Sequence, residues 1–212
     1  IKKALNSAKS YLEKTKNNHG QNSKTEFDKE AEALLPVLKN EIPLRIHCHR
    51  ADDIVTAVRI AEKFELDFTL EHITQGHQII DFLKEKNTYN AIGPTMHYGS
   101  KVENRDRHFH TPVLAARENL HFCLTTDHPV IAGKHLKTTA ALAVNWGMDY
   151  KTALKAITIF AAEHIGISDK IGSIEEGKDA DLVIWSGDPL EFSTFADTTI
   201  INGQIVHNRE VK

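Results

Sequence analysis

From residue 42 onward, a short apolar run followed by a helical pattern repeats four times. The four apolar runs, which have the length and composition of β-strands, are Leu44–Cys48, Asp67–Glu71, Tyr89–Ile92 and His121–Thr125. Strands that alternate with helices form parallel sheets, because each helix carries the chain back to the start of the next strand in a right-handed crossover. The chain is therefore predicted to be an α/β protein with a parallel sheet.

Two architectures contain units of this kind: a doubly wound sheet and a (β/α)₈ barrel. No glycine-rich phosphate-binding sequence follows any of the predicted strands, which argues against a nucleotide-binding sheet. A complete barrel takes about 250 residues. The strand–helix region is much shorter, so it predicts about half of a barrel.

After Gly166 the pattern changes to three short apolar runs without intervening helices. The last two, Thr198–Ile201 and Gln204–His207, are joined by Asn202-Gly203, the strongest short signal for a β-hairpin. We therefore predict two domains, a partial (β/α) barrel over residues 1–166 and a small β-sandwich segment over residues 167–212. Polar stretches at 16–29 and 95–110 are predicted as loops.

Charge and composition limit the partners. The net charge of −3 gives no basic surface for nucleic acid or an anionic membrane. No apolar stretch approaches the roughly 20 residues of a transmembrane helix. The two cysteines, Cys48 and Cys123, are too few for a disulfide scaffold and suit a reducing compartment. We expect a cytoplasmic protein that acts on a small molecule and binds neither nucleic acid nor membrane.

Candidate site residues lie where the predicted strands end, which in a barrel is the mouth of the active site. The ends of the first, second and fourth strands read His47-Cys48-His49, Glu71-His72 and Thr126-Asp127-His128. Imidazoles with a carboxylate suit Zn²⁺ or a similar divalent ion, which lowers the pKa of bound water. The alternative remains that each histidine is a hydrogen-bonded polar residue and that Asp127 is a turn residue.

The other polar residues of this region receive weaker assignments. His47 lies deeper in its strand than His49 and is expected to be the more fixed of the two. His49 and His128 are candidates for contacts to the metal ligands or to the substrate. Lys101 and Arg105 lie in the predicted loop 95–110 and are candidates for binding an acidic substrate group; the alternative is a solvated loop.

Four sequence segments together resemble the amidohydrolase superfamily, most closely its imidazolonepropionase-like and prolidase-like members. The segments are IPLRIHCHRADDI, FTLEH, LTTDHPV and IGISDKIGSIEEGKDADLVIWSGDPL. The resemblance covers about residues 1–207. Its most specific part, IGSIEEGKDADLVIWSGDPL, is similar to the family's return from the barrel into a β-sandwich.

The resemblance implies a (β/α)₈ barrel of which this chain contains strands five to eight. It implies that His47 and His72 bind a divalent metal, with Zn²⁺ favoured and one or two ions left open. It also implies that Asp127 binds the metal and acts as the catalytic base. The expected activity is hydrolysis of a C–N bond, in a non-peptide amide, a cyclic amide or a dipeptide-like compound, by a metal-activated water.

Two parts of the family pattern are absent: the His-x-His pair of strand one and the lysine or glutamate of strand four. We therefore expect a C-terminal fragment of a longer enzyme, with the missing N-terminal half or self-association covering the open barrel edges. The alternatives are a non-catalytic half-barrel that acts as an assembly module, and a deaminase of the same superfamily.

Overall fold

The computed structural model describes residues 1–17, 26–97 and 101–210. In chain order the helices and strands are α1 (Lys2–Asn17), α2 (Lys29–Leu38), β1 (Leu44–Cys48), α3 (Ala51–Lys63), β2 (Phe68–His72), α4 (Ile80–Glu85), β3 (Tyr89–Ile92), α5 (His110–Arg117), β4 (His121–Leu124), α6 (Leu136–Asn145), α7 (Tyr150–Ala156), α8 (Ile159–His164), β5 (Leu182–Trp185), β6 (Ala196–Ile201) and β7 (Gln204–Asn208). Short 3₁₀ turns precede α4 and α6 and interrupt the segment between β3 and α5.

The first four strands form one parallel sheet in the order β1-β2-β3-β4. The register aligns the carboxyl ends of the strands, with Cys48 beside His72, His72 beside Ile92, and Ile92 beside Leu124. The predicted α/β fold with a parallel sheet is therefore confirmed, and the strand ends lie within one residue of the predicted ones. In the part of the chain that the structure describes, β1 and β4 are the edge strands of this sheet.

The main core lies between the parallel sheet and its helices. Ile46, Leu70 and Ile92 from three strands are buried in one cluster with Ile54 and Val58 of α3. Burying side chains of this size stabilises the fold by about 1.5–3 kcal/mol each. Because successive side chains of a strand point to opposite faces, the polar residues between these apolar ones lie on the other face of the sheet.

Helices α1 and α2 form a separate small cluster, in which Ala8 and Tyr11 pack against Ala31 and Leu35. Asp28 begins α2 by accepting hydrogen bonds from the backbone amides of its first turn, and this offsets part of the cost of the unpaired N–H groups there. The loop predicted at 16–29 includes residues 18–25, and the loop predicted at 95–110 includes residues 98–100. Both of these segments lie outside the described residues.

The C-terminal strands form a separate antiparallel sheet in the order β5-β6-β7. Asn202 and Gly203 join β6 to β7 with φ values of 49° and 74°, as a tight hairpin turn requires, so the predicted hairpin is confirmed. Every residue of β7 is exposed. The domain boundary at residue 166 stays a prediction. None of the helices in the described ranges is long and apolar enough to cross a membrane.

Candidate metal centre

Three histidines converge at the carboxyl end of the parallel sheet. His47 lies in β1, His49 follows β1, and His72 ends β2. One ligand nitrogen from each can be chosen so that all three lie within 4.8 Å of one another. The ring centroids are 4.5 Å apart for His47 and His72, and 4.8 Å apart for each of the other two pairs. In the described ranges this is the group of side chains that could hold a metal ion.

The orientation of the His72 ring follows from one hydrogen bond. Its Nδ1 lies 2.7 Å from the carbonyl oxygen of Gly93, which can only accept, so Nδ1 carries the proton and Nε2 has a free lone pair. A backbone partner of this kind commonly fixes the orientation of a metal-binding histidine. Gly93 has φ 145°, and a Cβ there would collide with the carbonyl oxygen of Thr125, so the position requires glycine.

The backbone is strained where β2 ends. His72 and Ile73 both have positive φ, 77° and 35°, in a region that L-residues avoid and that is especially costly for β-branched isoleucine. Ile73 is fully buried, and its amide donates to the Cys48 carbonyl, so packing and hydrogen bonding hold this turn in place. The turn directs the chain across the end of β1.

This turn reverses the expected order of burial of the two β1 histidines. His49, which we expected at the open mouth, is only 5% exposed, whereas His47 is exposed. The Gln75 amide donates to the His49 carbonyl, and Thr74 Oγ1 lies 2.7 Å from His49 Nδ1. The expectation that His47 is the more fixed residue was wrong, because the loop after β2 covers the position that follows β1.

The electrostatics of the cluster keep the imidazoles neutral. Burial, followed by the nearby His72 and His47, lowers the pKa of His49 to about 4. Burial and His72 also lower the pKa of His47. A neutral imidazole is the form that binds a metal ion. Three neutral imidazoles with a shared approach distance, one of them with its Nε2 lone pair set by Gly93, fit a divalent ion of the Zn²⁺ type.

Asp127 follows β4 and approaches the cluster without belonging to it. Its charge raises the pKa of His47 against the effect of burial, so the carboxylate lies within electrostatic range of that ring. The residue is half-buried and has φ 53°, and its carbonyl accepts from the Val130 amide in a tight turn. Its assignment as a metal ligand and base stays a prediction.

The remaining predicted site residues point toward solvent. Lys101 pairs with Glu103 at 3.5 Å and Arg105 with Asp106 at 3.7 Å, and their own side chains are 72% and 70% exposed. His128 is exposed, and its Nδ1 accepts weakly from a backbone amide at 3.4 Å. Their proposed contacts to ligands or substrate stay predictions.

Two polar features near the site were missed at the sequence level. Arg107 is half-buried beside the histidine cluster, and its charge contributes to lowering the pKa of His49. Glu71, one residue before His72, accepts from His164 Nε2 at 3.0 Å and from Thr69 Oγ1 at 2.9 Å. The pairing of Glu71 with a histidine 93 residues later has no signal in the local sequence.

A groove of about 450 Å³ opens beside β1 and α3, within the size range of small-molecule sites. His47, His49 and Glu103 line its polar part, and Ile46 and Ile60 are among its apolar lining residues. The histidine cluster is therefore accessible to a small molecule from this side.

Comparison with known proteins agrees with this architecture. Residues 28–206 match the model of the Amidohydrolase family. The crystal structure of an amidohydrolase from Thermotoga maritima MSB8 superposes with a TM-score of 0.94 and 36% sequence identity, over 99% of this chain and 55% of that chain. A Xaa-Pro dipeptidase with bound methionine in the active site superposes with a TM-score of 0.64 at 23% identity, over 80% of this chain and 46% of that chain, a likeness of fold.

A curated relative agrees with the structural matches. Amidohydrolase tasK of Hapsidospora irregularis is 27% identical over 169 residues, which are 77% of this chain and 17% of the relative. The chain thus spans about half the length of the Thermotoga structure and a smaller share of the curated relative. With the family model matched over most of its length, the chain belongs to the amidohydrolase family.

Proposed function

We propose that the whole protein is a metal-dependent hydrolase that cleaves a C–N bond of a small molecule, in a non-peptide amide, a cyclic amide or a dipeptide-like compound. The observation that carries the proposal is the convergence of three neutral imidazoles at the carboxyl ends of parallel strands, in a chain of the amidohydrolase family. The dipeptidase activity in the name of one structural neighbour supports the dipeptide-like class.

In this proposal His47, His49 and His72 hold one divalent ion, and Zn²⁺ is the favoured ion. The ion, when bound, supplies the positive charge that makes water a nucleophile near neutral pH. The Asp127 carboxylate takes the proton of the attacking water and delivers it to the leaving nitrogen, which a group on the neighbouring strand end is suited to do. His49 thereby becomes a ligand rather than a substrate contact.

We further propose that β1–β4 are strands five to eight of a (β/α)₈ barrel and that β5–β7 are part of a β-sandwich. The overlap of the chain with 55% of the Thermotoga amidohydrolase supports this assignment. The open edges at β1 and β4 would then be covered by the remaining barrel strands or by a second copy. Two buried, free cysteines support a location in the reducing cytoplasm.

The test combines metal content with turnover. Purified protein is stripped with a chelator, reloaded with Zn²⁺ and assayed on a proline dipeptide, a cyclic amide, an N-acyl amino acid and an aminopurine. We expect hydrolysis of an amide that is lost with the metal, regained with Zn²⁺, and reduced about 10²–10⁴-fold in Asp127→Asn, the range for removal of a general base. The matched control Asp67→Asn, at the exposed amino end of β2, should retain full activity.

The other outcomes separate the alternatives. Ammonia release from the aminopurine alone would replace the amide hydrolase with a deaminase of the same family. Protein that binds no divalent ion, with an unchanged rate in Asp127→Asn, would refute the proposal and leave the non-catalytic assembly module.

A further inference from the structure

The segment between β3 and α5 carries three cations, and one of them differs from the other two. Lys101 and Arg105 face solvent beside acidic neighbours. Arg107 is half-buried, and its guanidinium donates to His97 Nδ1 at 3.2 Å. Within residues 1–17, 26–97 and 101–210, no carboxylate lies within ion-pair distance of Arg107. Its charge is therefore available at the edge of the histidine cluster.

Two buried polar groups next to this charge have no hydrogen-bond partner in the described ranges. They are the Nε of Arg107 and the hydroxyl of Thr95, a residue that is 8% exposed. Folded proteins rarely leave buried donors unpaired, because each has given up its hydrogen bonds to water. Two such donors in one place indicate that something binds between them.

Both residues line the same small recess beside the metal centre. His72, Gly93 and His108 complete part of its wall. Its volume of about 10 Å³ holds roughly one water-sized atom, which is also the size of one carboxylate oxygen. The recess therefore selects a single oxygen rather than a bulky group.

The surrounding charges favour a singly charged anion. Burial lowers the pKa of the Arg107 guanidinium, and the negative charges of Asp127 and Glu103 act in the opposite direction. The guanidinium stays positively charged at any physiological pH. A dianion such as phosphate would face repulsion from both of these carboxylates, whereas a carboxylate carries half that charge.

We propose that Arg107 and Thr95 bind one oxygen of a carboxylate on the substrate, so that the substrate class is an amide that also carries a carboxylate. The inference rests on the proposed function and deepens it. It assigns substrate recognition to Arg107 rather than to Lys101 or Arg105. The guanidinium and the hydroxyl donate to the carboxylate oxygen, and the scissile bond lies toward the histidines.

Binding to the metal-free protein tests this without requiring turnover. The probes are N-acetylglycine and its neutral amide, N-acetylglycinamide, titrated by calorimetry or by NMR chemical shifts. We expect the carboxylate to bind about 10–100-fold more tightly, the range for a hydrogen bond to a charged group. Arg107→Met should abolish this preference, and Arg107→Lys should retain part of it. The matched control Arg105→Met should leave it unchanged.

Thr95→Val provides a second variant of almost the same shape, so the test does not depend on Arg107→Met folding correctly. It should reduce the preference several-fold while the circular dichroism spectrum stays that of the wild type. Equal affinity for the two probes, or a preference that survives both Arg107→Met and Thr95→Val, would overturn the inference. Phosphate competing more strongly than N-acetylglycine would also overturn it.

The same variants separate this inference from the proposed function. If the protein hydrolyses N-acyl amino acids, Arg107→Met should raise KM for the carboxylate substrate and leave kcat nearly unchanged. Carboxylate binding that depends on Arg107 in a protein without any hydrolase activity would refute the proposed function and retain the carboxylate site. Hydrolysis that is indifferent to the carboxylate would do the reverse.

Discussion

The two sheets of this molecule are both built from short apolar strands, yet they differ in burial. Three of the four residues in each of β3 and β4 are buried, whereas every residue of β7 is exposed. Leu70 in β2 is 0% exposed and Ile205 in β7 is 67% exposed. An apolar run thus determines that a strand forms, but its burial depends on what packs against it. Helices cover one face of the parallel sheet, and within the described residues nothing comparable covers β7.

The largest expected effect of this difference is on stability. Leu70→Ala removes a fully buried side chain and should lower the free energy of unfolding by about 2–5 kcal/mol. Ile205→Ala in β7 should change it by less than about 0.5 kcal/mol. Urea unfolding followed by circular dichroism measures both. Equal losses would break the comparison, because they would mean that β7 is buried in solution.

The second prediction concerns metal affinity. His72→Ala should weaken Zn²⁺ binding by more than about 100-fold, since loss of even an outer partner of a ligand costs about 10–100-fold. His207→Ala, in exposed β7, should have no effect. Competition with a chromophoric chelator gives both affinities. Unchanged affinity in His72→Ala would remove the metal centre from the parallel sheet.

Gly93→Ala extends the metal prediction to the backbone that orients His72. The added methyl group would collide with the Thr125 carbonyl and displace the Gly93 carbonyl from His72 Nδ1. We expect a loss of Zn²⁺ affinity of about 10–100-fold in protein that remains folded. Gly177→Ala serves as a control, because it also has positive φ but has open space around its Cβ position. A larger loss in the control would contradict the role of Gly93.

The smallest effect is expected for the ion pairs of the two sheets. The His164 hydrogen bond and charge lower the pKa of Glu71 against the larger opposing effect of burial. A carboxylate whose pKa is lowered on folding stabilises the protein above its unfolded pKa of about 4.3, and this stability is lost as the pH falls through the folded value. Glu71→Gln should therefore cost about 1–2 kcal/mol at pH 7 and progressively less below pH 4.

The comparison pair in the antiparallel sheet is Arg209 and Asp197, with side chains that are 41% and 40% exposed. Asp197→Asn should cost less than about 0.5 kcal/mol at any pH. Urea unfolding between pH 3 and pH 8 measures both variants. A pH-independent cost in Glu71→Gln would show that the Glu71 carboxylate does not stabilise the fold through its charge.

Much of the fold was predictable because its signals are local. The four strand–helix units and the Asn202-Gly203 hairpin follow from hydrophobic period and turn chemistry, and the structure contains all of them. The prediction of His47 and His72 as neighbours rested on a property of all parallel sheets, the alignment of strand ends, and the two rings do meet. The relative burial of His47 and His49 was not predictable, because the covering loop comes from the next strand–helix unit.

The sequence by itself determined the order of the elements, the parallel sheet and the end of it at which histidines gather. Periodicity and turn residues encode these features within windows of a few residues. Only the tertiary structure decided that His49 joins His47 and His72, and that Arg107 rather than Arg105 faces the site. The physical reason is that burial and charge depend on contacts between segments far apart in the chain, which a local pattern does not specify.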